Sequence, residues 1–239
     1  MGSKSRITKH IVPIIQKYID DNQIKTYIEP FCGGCNVIDK VKCKNRIASD
    51  ISLYLISLFK ALVYDNKQLP DNISKDHYSD VRINKNNNKY EDWYVGAVGF
   101  LASYNGRFFD GGYAGIVHTK ANTIRDYYDE AKRNLESQLP NLKNVVFDCK
   151  DYKEYAEIKN CLIYCDPPYQ EVKKYETSHN FNHNAFWETM CKWSKNNIVL
   201  ISEQNASDDF ECIWEQPIIR SIDNNKRVQS TEKLFKYIL

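Results

Sequence analysis

The apolar run Cys161-Leu162-Ile163-Tyr164-Cys165, followed at once by Asp166-Pro167-Pro168-Tyr169, constrains this chain more than any other stretch. Five apolar residues without polar alternation read as a strand buried on both faces, the kind found in parallel sheets of α/β folds. A carboxylate then stands at the carboxyl end of a strand, where open α/β sheets hold their ligands. Two prolines fix φ and remove two backbone donors, so the turn is rigid. The Pro167 carbonyl has no local amide to satisfy it, and Tyr169 offers a flat π face beside it. A carboxylate oxygen, a carbonyl and an aromatic ring make a receptor for an amino group on a planar base.

Such a receptor suits methylation of the exocyclic amine of adenine. That amine is a poor nucleophile because its lone pair is delocalised into the ring. Asp166 and the Pro167 carbonyl can each accept one N–H and draw the nitrogen towards tetrahedral geometry. Its lone pair then attacks an electrophilic methyl group directly and in line, with no covalent enzyme intermediate and no metal. Positioning and fixed acceptors supply the acceleration. In duplex DNA the base must be extruded, at a cost of a few kcal/mol. Stacking on Tyr169 returns about 1–3 kcal/mol. The plainer alternative is a strand-to-loop turn with an acid at the surface.

A second constellation lies near the N-terminus. Thr26-Tyr27-Ile28-Glu29-Pro30-Phe31-Cys32-Gly33-Gly34-Cys35-Asn36-Val37 reads as a short strand, a glycine turn and the start of a helix. Glycines at such a turn let a ligand approach the backbone, and the alternative is an ordinary tight turn. Arg46-Ile47-Ala48-Ser49-Asp50-Ile51 reads as a second strand ending in an acid. Asp50 there could take the two ribose hydroxyls of a nucleoside cofactor. It could equally cap a following helix over 52–62.

These segments together resemble the Dam-like, alpha-type family of DNA N6-adenine methyltransferases. Glu29-Pro30-Phe31-x-Gly33-Gly34 resembles that family's S-adenosylmethionine loop, with Cys35 where members often carry a small residue. Ser49-Asp50-Ile51-Ser52 resembles its ribose-binding acid, and Asp166 to Tyr169 its catalytic motif. Gly2-Ser3-Lys4 resembles an N-terminal element whose lysine lies near the cofactor. Phe147-Asp148-Cys149-Lys150-Asp151-Tyr152 resembles the segment that contacts the cofactor's adenine. Val199-Leu200-Ile201-Ser202-Glu203 and Thr231-Glu232-Lys233-Leu234-Phe235 are also similar to family segments. The resemblance implies a Rossmann-like class I methyltransferase fold, a mixed α/β sheet with a small, mainly helical recognition insert. It implies that Lys4, Glu29, Pro30, Phe31, Gly33, Asp50, Ile51, Asp151 and Asp166 surround S-adenosylmethionine. Asp166, Pro167, Pro168 and Tyr169 would hold the target adenine. It further implies a cytoplasmic enzyme of bacterial or phage origin acting on double-stranded DNA. No nuclease module is read, so the enzyme would stand alone or serve beside a separate restriction endonuclease.

Composition is compatible with this class. The 239 residues suffice for one sizeable core with a small insertion. No stretch is apolar for long enough to span a membrane, and no signal peptide is read. Eight cysteines without a secretory signal suit a reducing cytoplasm. Cys32-Gly33-Gly34-Cys35 has the spacing of half a zinc site, but no matching second pair is evident. The net charge is +5 over residues 1–62, zero over 63–144 and −3 over 145–239. DNA binding must then use a folded patch rather than bulk charge, and it should be salt-sensitive.

The layout reads as a catalytic domain of residues 1–62 and 145–239, interrupted by a target-recognition insertion at 63–144. Apolar spacing predicts a helix over 6–19. Further helices are predicted at 52–64, 91–103, 124–136 and 186–194. Strands are predicted near 26–29, 46–49, 144–148, 161–165 and 197–202, with antiparallel strands finishing the sheet over 210–239. The polar stretch 65–89 reads as a linker with short helical turns. Ser103-Tyr104-Asn105-Gly106-Arg107-Phe108-Phe109-Asp110-Gly111-Gly112-Tyr113-Ala114-Gly115 suits a DNA-contacting loop, and its Tyr-Asn-Gly resembles the family's recognition region. Tyr104, Asn105, Arg107 and Lys120 are the candidate DNA contacts, Arg107 as a reader of guanine or a phosphate clamp. The alternative is a connector whose aromatics pack inward. RNA adenine, the N4 amine of cytosine and a non-catalytic DNA-binding role stay open at this level. Cytosine is disfavoured because a serine commonly replaces the acid there.

Overall fold

The computed structural model describes residues 4–118, 122–155, 157–169, 181–221 and 227–238. Parallel pairing organises the main sheet around β1 (Thr26–Glu29). On one side β1 pairs with β2 (Asn45–Asp50), which pairs in turn with β5 (Val145–Cys149). On the other side β1 pairs with β6 (Cys161–Cys165), which pairs with β7 (Ile198–Glu203). Two antiparallel strands complete the sheet, β9 (Arg227–Tyr237) against β7 and β8 (Phe210–Ser221) against β9. The order is therefore β5-β2-β1-β6-β7-β9-β8.

Side-chain alternation explains why β6 is apolar throughout. Leu162 and Tyr164 join one core cluster, whereas Cys161, Ile163 and Cys165 join another. The strand is thus covered on both faces. On the first face lies α1 (Thr8–Asp21), whose Ile11, Ile15 and Ile19 recur at the helical spacing and are buried. The same cluster takes residues of α2 (Leu53–Val63) and α5 (Tyr127–Leu142). On the second face lies α6 (His183–Ser194), which contributes Phe186, Met190 and Trp193.

A third cluster lies wholly between residues 73 and 128. It gathers Ile73, Tyr78, Val81, Val95, Val98, Ala102, Phe109 and Tyr128. Its helices are α3 (Lys75–Asn84) and α4 (Asp92–Leu101). The helix α3 corrects the linker reading of 65–89. Ser74 caps it by accepting the His77 amide at 3.1 Å, and Tyr78 and Val81 anchor its inner face. The 124–136 helix also needs correction. Residues Ile124–Asp126 form β4, paired with β3 (Ile116–His118), and the helix starts only at Tyr127. Asp126 decides that start, accepting the Asp129 amide at 3.1 Å as N-cap. After β1, too, the expected helix start is a series of turns, with Cys35 at φ 55°.

No helix among the described residues is long and apolar enough to cross a membrane.

Candidate active site

Four neighbouring parallel strands deliver an acid to the same edge of the sheet. β2 ends on Asp50, β1 on Glu29, β7 on Glu203, and β6 runs directly into Asp166. The chain steps from β1 outward to β2 and β5, then returns to β6 on the other flank of β1. The winding thus reverses between β1 and β6, the place outside whose carboxyl ends open α/β sheets hold their ligands.

The turn after β1 is tied to β2. The Cys32 amide donates to the Ser49 carbonyl at 2.8 Å. Gly33 takes φ 46°, and its amide donates to Asp50 Oδ2 at 3.2 Å. A left-handed residue costs little only as glycine. Asp50 Oδ1 accepts the Ser52 amide at 3.0 Å. Ser52, not Asp50, caps α2, accepting the Leu55 amide at 3.4 Å. Burial pushes the Asp50 carboxyl up, against the opposing pull of these backbone amides. The Ile51 amide adds to this pull, and the Asp50 carboxylate, with about four acceptor positions, keeps room beyond these amides for a ribose hydroxyl. Beside it Ile51 is an apolar residue 63% exposed at the sheet edge, a surface suited to a purine ring. This donor set fits a nucleoside-containing cofactor.

Pro30 is buried, and the Phe31 ring lies 5.2 Å from that of Tyr152 and 5.9 Å from that of Phe186. Glu29 is buried, with the Tyr27 hydroxyl donating to Oε1 at 2.6 Å. Asp151 opens the 3-10 turn Tyr152–Tyr155. Its carboxylate accepts the Lys153 amide at 2.9 Å, and its own amide donates to Glu154 Oε1 at 2.8 Å.

The turn after β6 meets the N-terminus. Lys4 Nζ lies 3.0 Å from Asp166 Oδ1 and 3.2 Å from Glu232 Oε2, with side chains 11%, 21% and 8% exposed in that order. It also hydrogen-bonds the Tyr169 hydroxyl and sits 4.4 Å from that ring's centre. Tyr169 donates its hydroxyl to Glu232 at 2.8 Å. Burial raises the Tyr169 hydroxyl, reinforced by the Asp166 and Glu232 charges, so it stays protonated and a donor. Pro167 is buried and Pro168 half-buried. Sequence reasoning grouped Lys4 with the cofactor loop; here its ammonium bridges the catalytic-motif acid and β9.

The residues expected to contact DNA lie after α4, between Tyr104 and the β3–β4 ribbon. Tyr104, Asn105 and Gly106 form a 3-10 turn with Asn105 at φ 56°. Tyr104 is 45% exposed, whereas Phe109 is buried in the third cluster and Phe108 stacks on Tyr54 at 5.2 Å. The loop's aromatics thus divide between surface and core. Arg107 is ion-paired with Asp110. Lys120, like Gly2 and Ser3, lies outside the described residues.

Three features escaped sequence reasoning. Glu203 and Glu232 are buried acids at the carboxyl edge of the parallel strands; an acid closing a buried strand was the available signal for Glu203, whereas Glu232 lies inside β9. The β3–β4 ribbon exposes Ile116 and Ile124, 65% and 69%, on one face. Its signal was β-branched residues on either side of a polar stretch.

A family model of the D12 class N6 adenine-specific DNA methyltransferases matches residues 1–196. The chain belongs to this family. Among curated relatives, the type II methyltransferase M.MjaIII of Methanocaldococcus jannaschii is 28% identical over 211 residues, covering 76% of this chain and 73% of that protein. A DNA adenine methylase of Vibrio cholerae is 24% identical over 246 residues, covering 95% and 80%. Among solved structures, TrmN from Thermus thermophilus superposes with TM-score 0.37 and 9% identity, covering 95% of this chain and 48% of that one. That likeness is too slight to add to the sheet order itself. As a D12 family member the chain is an adenine-specific DNA methyltransferase.

Proposed function

We propose that the crevice between β1 and β6 binds S-adenosylmethionine beside an adenine extruded from duplex DNA, and that Asp166 and Pro167 direct its N6 at the methyl group. The observation that carries this reading is the adjacency of two turns. The glycine turn after β1, locked to Asp50, lies next to the Asp-Pro-Pro-Tyr turn after β6.

Asp50 would hold the ribose hydroxyls and Ile51 the purine face. Lys4, Glu29, Pro30, Phe31, Gly33, Asp151 and Asp166 complete the surroundings. When bound there, S-adenosylmethionine supplies an electrophilic methyl carbon. The Asp166 carboxylate and the Pro167 carbonyl each accept one N–H of the target amine. That withdraws its lone pair from the ring and aims it. Pro168 keeps the turn rigid. Tyr169 stacks on the base and, staying protonated, spends its hydroxyl on Glu232. The transferred methyl replaces one amine hydrogen, which leaves as a proton. Residues 63–144 would form the recognition insertion in a catalytic domain of 1–62 and 145–239. Tyr104, Asn105, Arg107, Lys120 and the exposed isoleucines of the β3–β4 ribbon are its DNA-facing candidates. The enzyme would act alone or as the modification half of a two-protein system.

Two variants test this, with donor binding measured by calorimetry and transfer by labelled methyl. Asp50→Ala is expected to weaken S-adenosylmethionine binding about ten- to hundredfold, the worth of a charged hydrogen-bond acceptor. Asp166→Ala is expected to cut transfer to duplex DNA about a thousandfold at saturating donor. Unchanged donor binding in the first, or unchanged transfer in the second, would overturn the assignment.

A further inference from the structure

The last strand brings an acid into the site from far along the chain. β9 runs antiparallel to β7, and Glu203 pairs with Lys233. Glu232 therefore lies one residue beyond the end of β7, at the carboxyl edge of the parallel strands. There it shares the Lys4 ammonium with Asp166 and accepts the Tyr169 hydroxyl.

An ammonium with Asp166 as its one counter-ion would compete with the target amine for that carboxylate. It would also set a positive charge beside a nitrogen that becomes more positive as it attacks. A second carboxylate changes both terms. It divides the hold of Lys4 between two acids, and it leaves the group of Lys4, Asp166 and Glu232 with a net negative charge. All three side chains are largely buried, so solvent screens these charges weakly. The same carboxylate fixes the Tyr169 ring from its hydroxyl end, while the prolines fix it from the backbone.

We propose that Glu232 is a positioning residue for methyl transfer, sharing the Lys4 ammonium with Asp166 and holding the Tyr169 ring in place. The proposal rests on the reading that Asp166 receives the target amine.

The test compares wild type, Glu232→Gln and Lys4→Met/Glu232→Gln. Glutamine keeps the size of the side chain and an acceptor for Tyr169 but removes the charge. Single-turnover transfer is measured at saturating duplex DNA and S-adenosylmethionine, alongside KM for DNA, donor Kd and Tm. Glu232→Gln is expected to lower the transfer rate about ten- to hundredfold, with KM, Kd and Tm little changed. Removing the ammonium as well should restore the rate several-fold over Glu232→Gln, because Lys4 no longer loads Asp166. A wild-type rate in Glu232→Gln, a loss confined to KM, or a double variant no faster than Glu232→Gln would each overturn the proposal. Absence of transfer by the wild type would instead remove the reading of Asp166, and this proposal with it.

Discussion

Glu29 is enclosed in the core, and burial pushes its carboxyl up to about 8, against the hydrogen bond from Tyr27 and with the help of the Asp166 charge. The group is thus neutral in the folded protein at neutral pH. In the unfolded chain it ionises near the ordinary 4.5. Between those values the folded state holds a proton that the unfolded state has lost. Stability must therefore fall as pH rises through that window. Glu29→Gln replaces the acid by a neutral isostere and should remove this dependence. Denaturant titrations across the window should show wild type losing up to about 1.4 kcal/mol per pH unit relative to the variant. Parallel pH profiles would contradict the assignment. The two acids paired with Lys4 differ in how far sequence reveals them. Asp166 is legible because its acid, prolines and aromatic ring are consecutive and their chemistry is complementary. Glu232 is not, because its partners Tyr169 and Lys4 stand 63 and 228 residues away. Only the antiparallel return of β9 brings them together.

At the scale of elements, α4 packs on α2 through Gly96. A Cβ there would lie 2.2 Å from the Tyr54 carbonyl oxygen. Intrinsic propensity favours alanine over glycine in a helix by about 1 kcal/mol. The clash is with backbone, which cannot rotate away, and overpacking of this kind costs about 1–3 kcal/mol. The clash should win, so Gly96→Ala is expected to lower stability by up to about 2 kcal/mol in urea titration. A more stable variant would show that the two helices can separate freely. Elements with a strong period were legible: the isoleucines of α1 and the unbroken apolar run of β6 each identify one state. The ribbon β3–β4 was not, because its strands are three residues each and Ile124 leads directly into a helical pattern. Helix α3 was masked by polar composition, since its inner face buries only Tyr78 and Val81.

For the whole molecule, the winding reversal between β1 and β6 brings separate motifs to one edge of the sheet. Residues of the first fifty supply the glycine turn and Asp50, and the Asp-Pro-Pro-Tyr turn follows more than a hundred residues later. Both are legible alone, and the sheet order explains why they meet. With a net charge of only +2, the proposed DNA binding rests on shape and a local patch rather than on bulk charge. The most direct measurement is to incubate the protein with unmethylated duplex DNA and methyl-labelled S-adenosylmethionine, digest the DNA to nucleosides and identify the labelled base. The expected result is label on N6-methyladenine alone. Label on the N4 amine of cytosine, or unlabelled DNA while S-adenosylmethionine binds, would contradict the central claim.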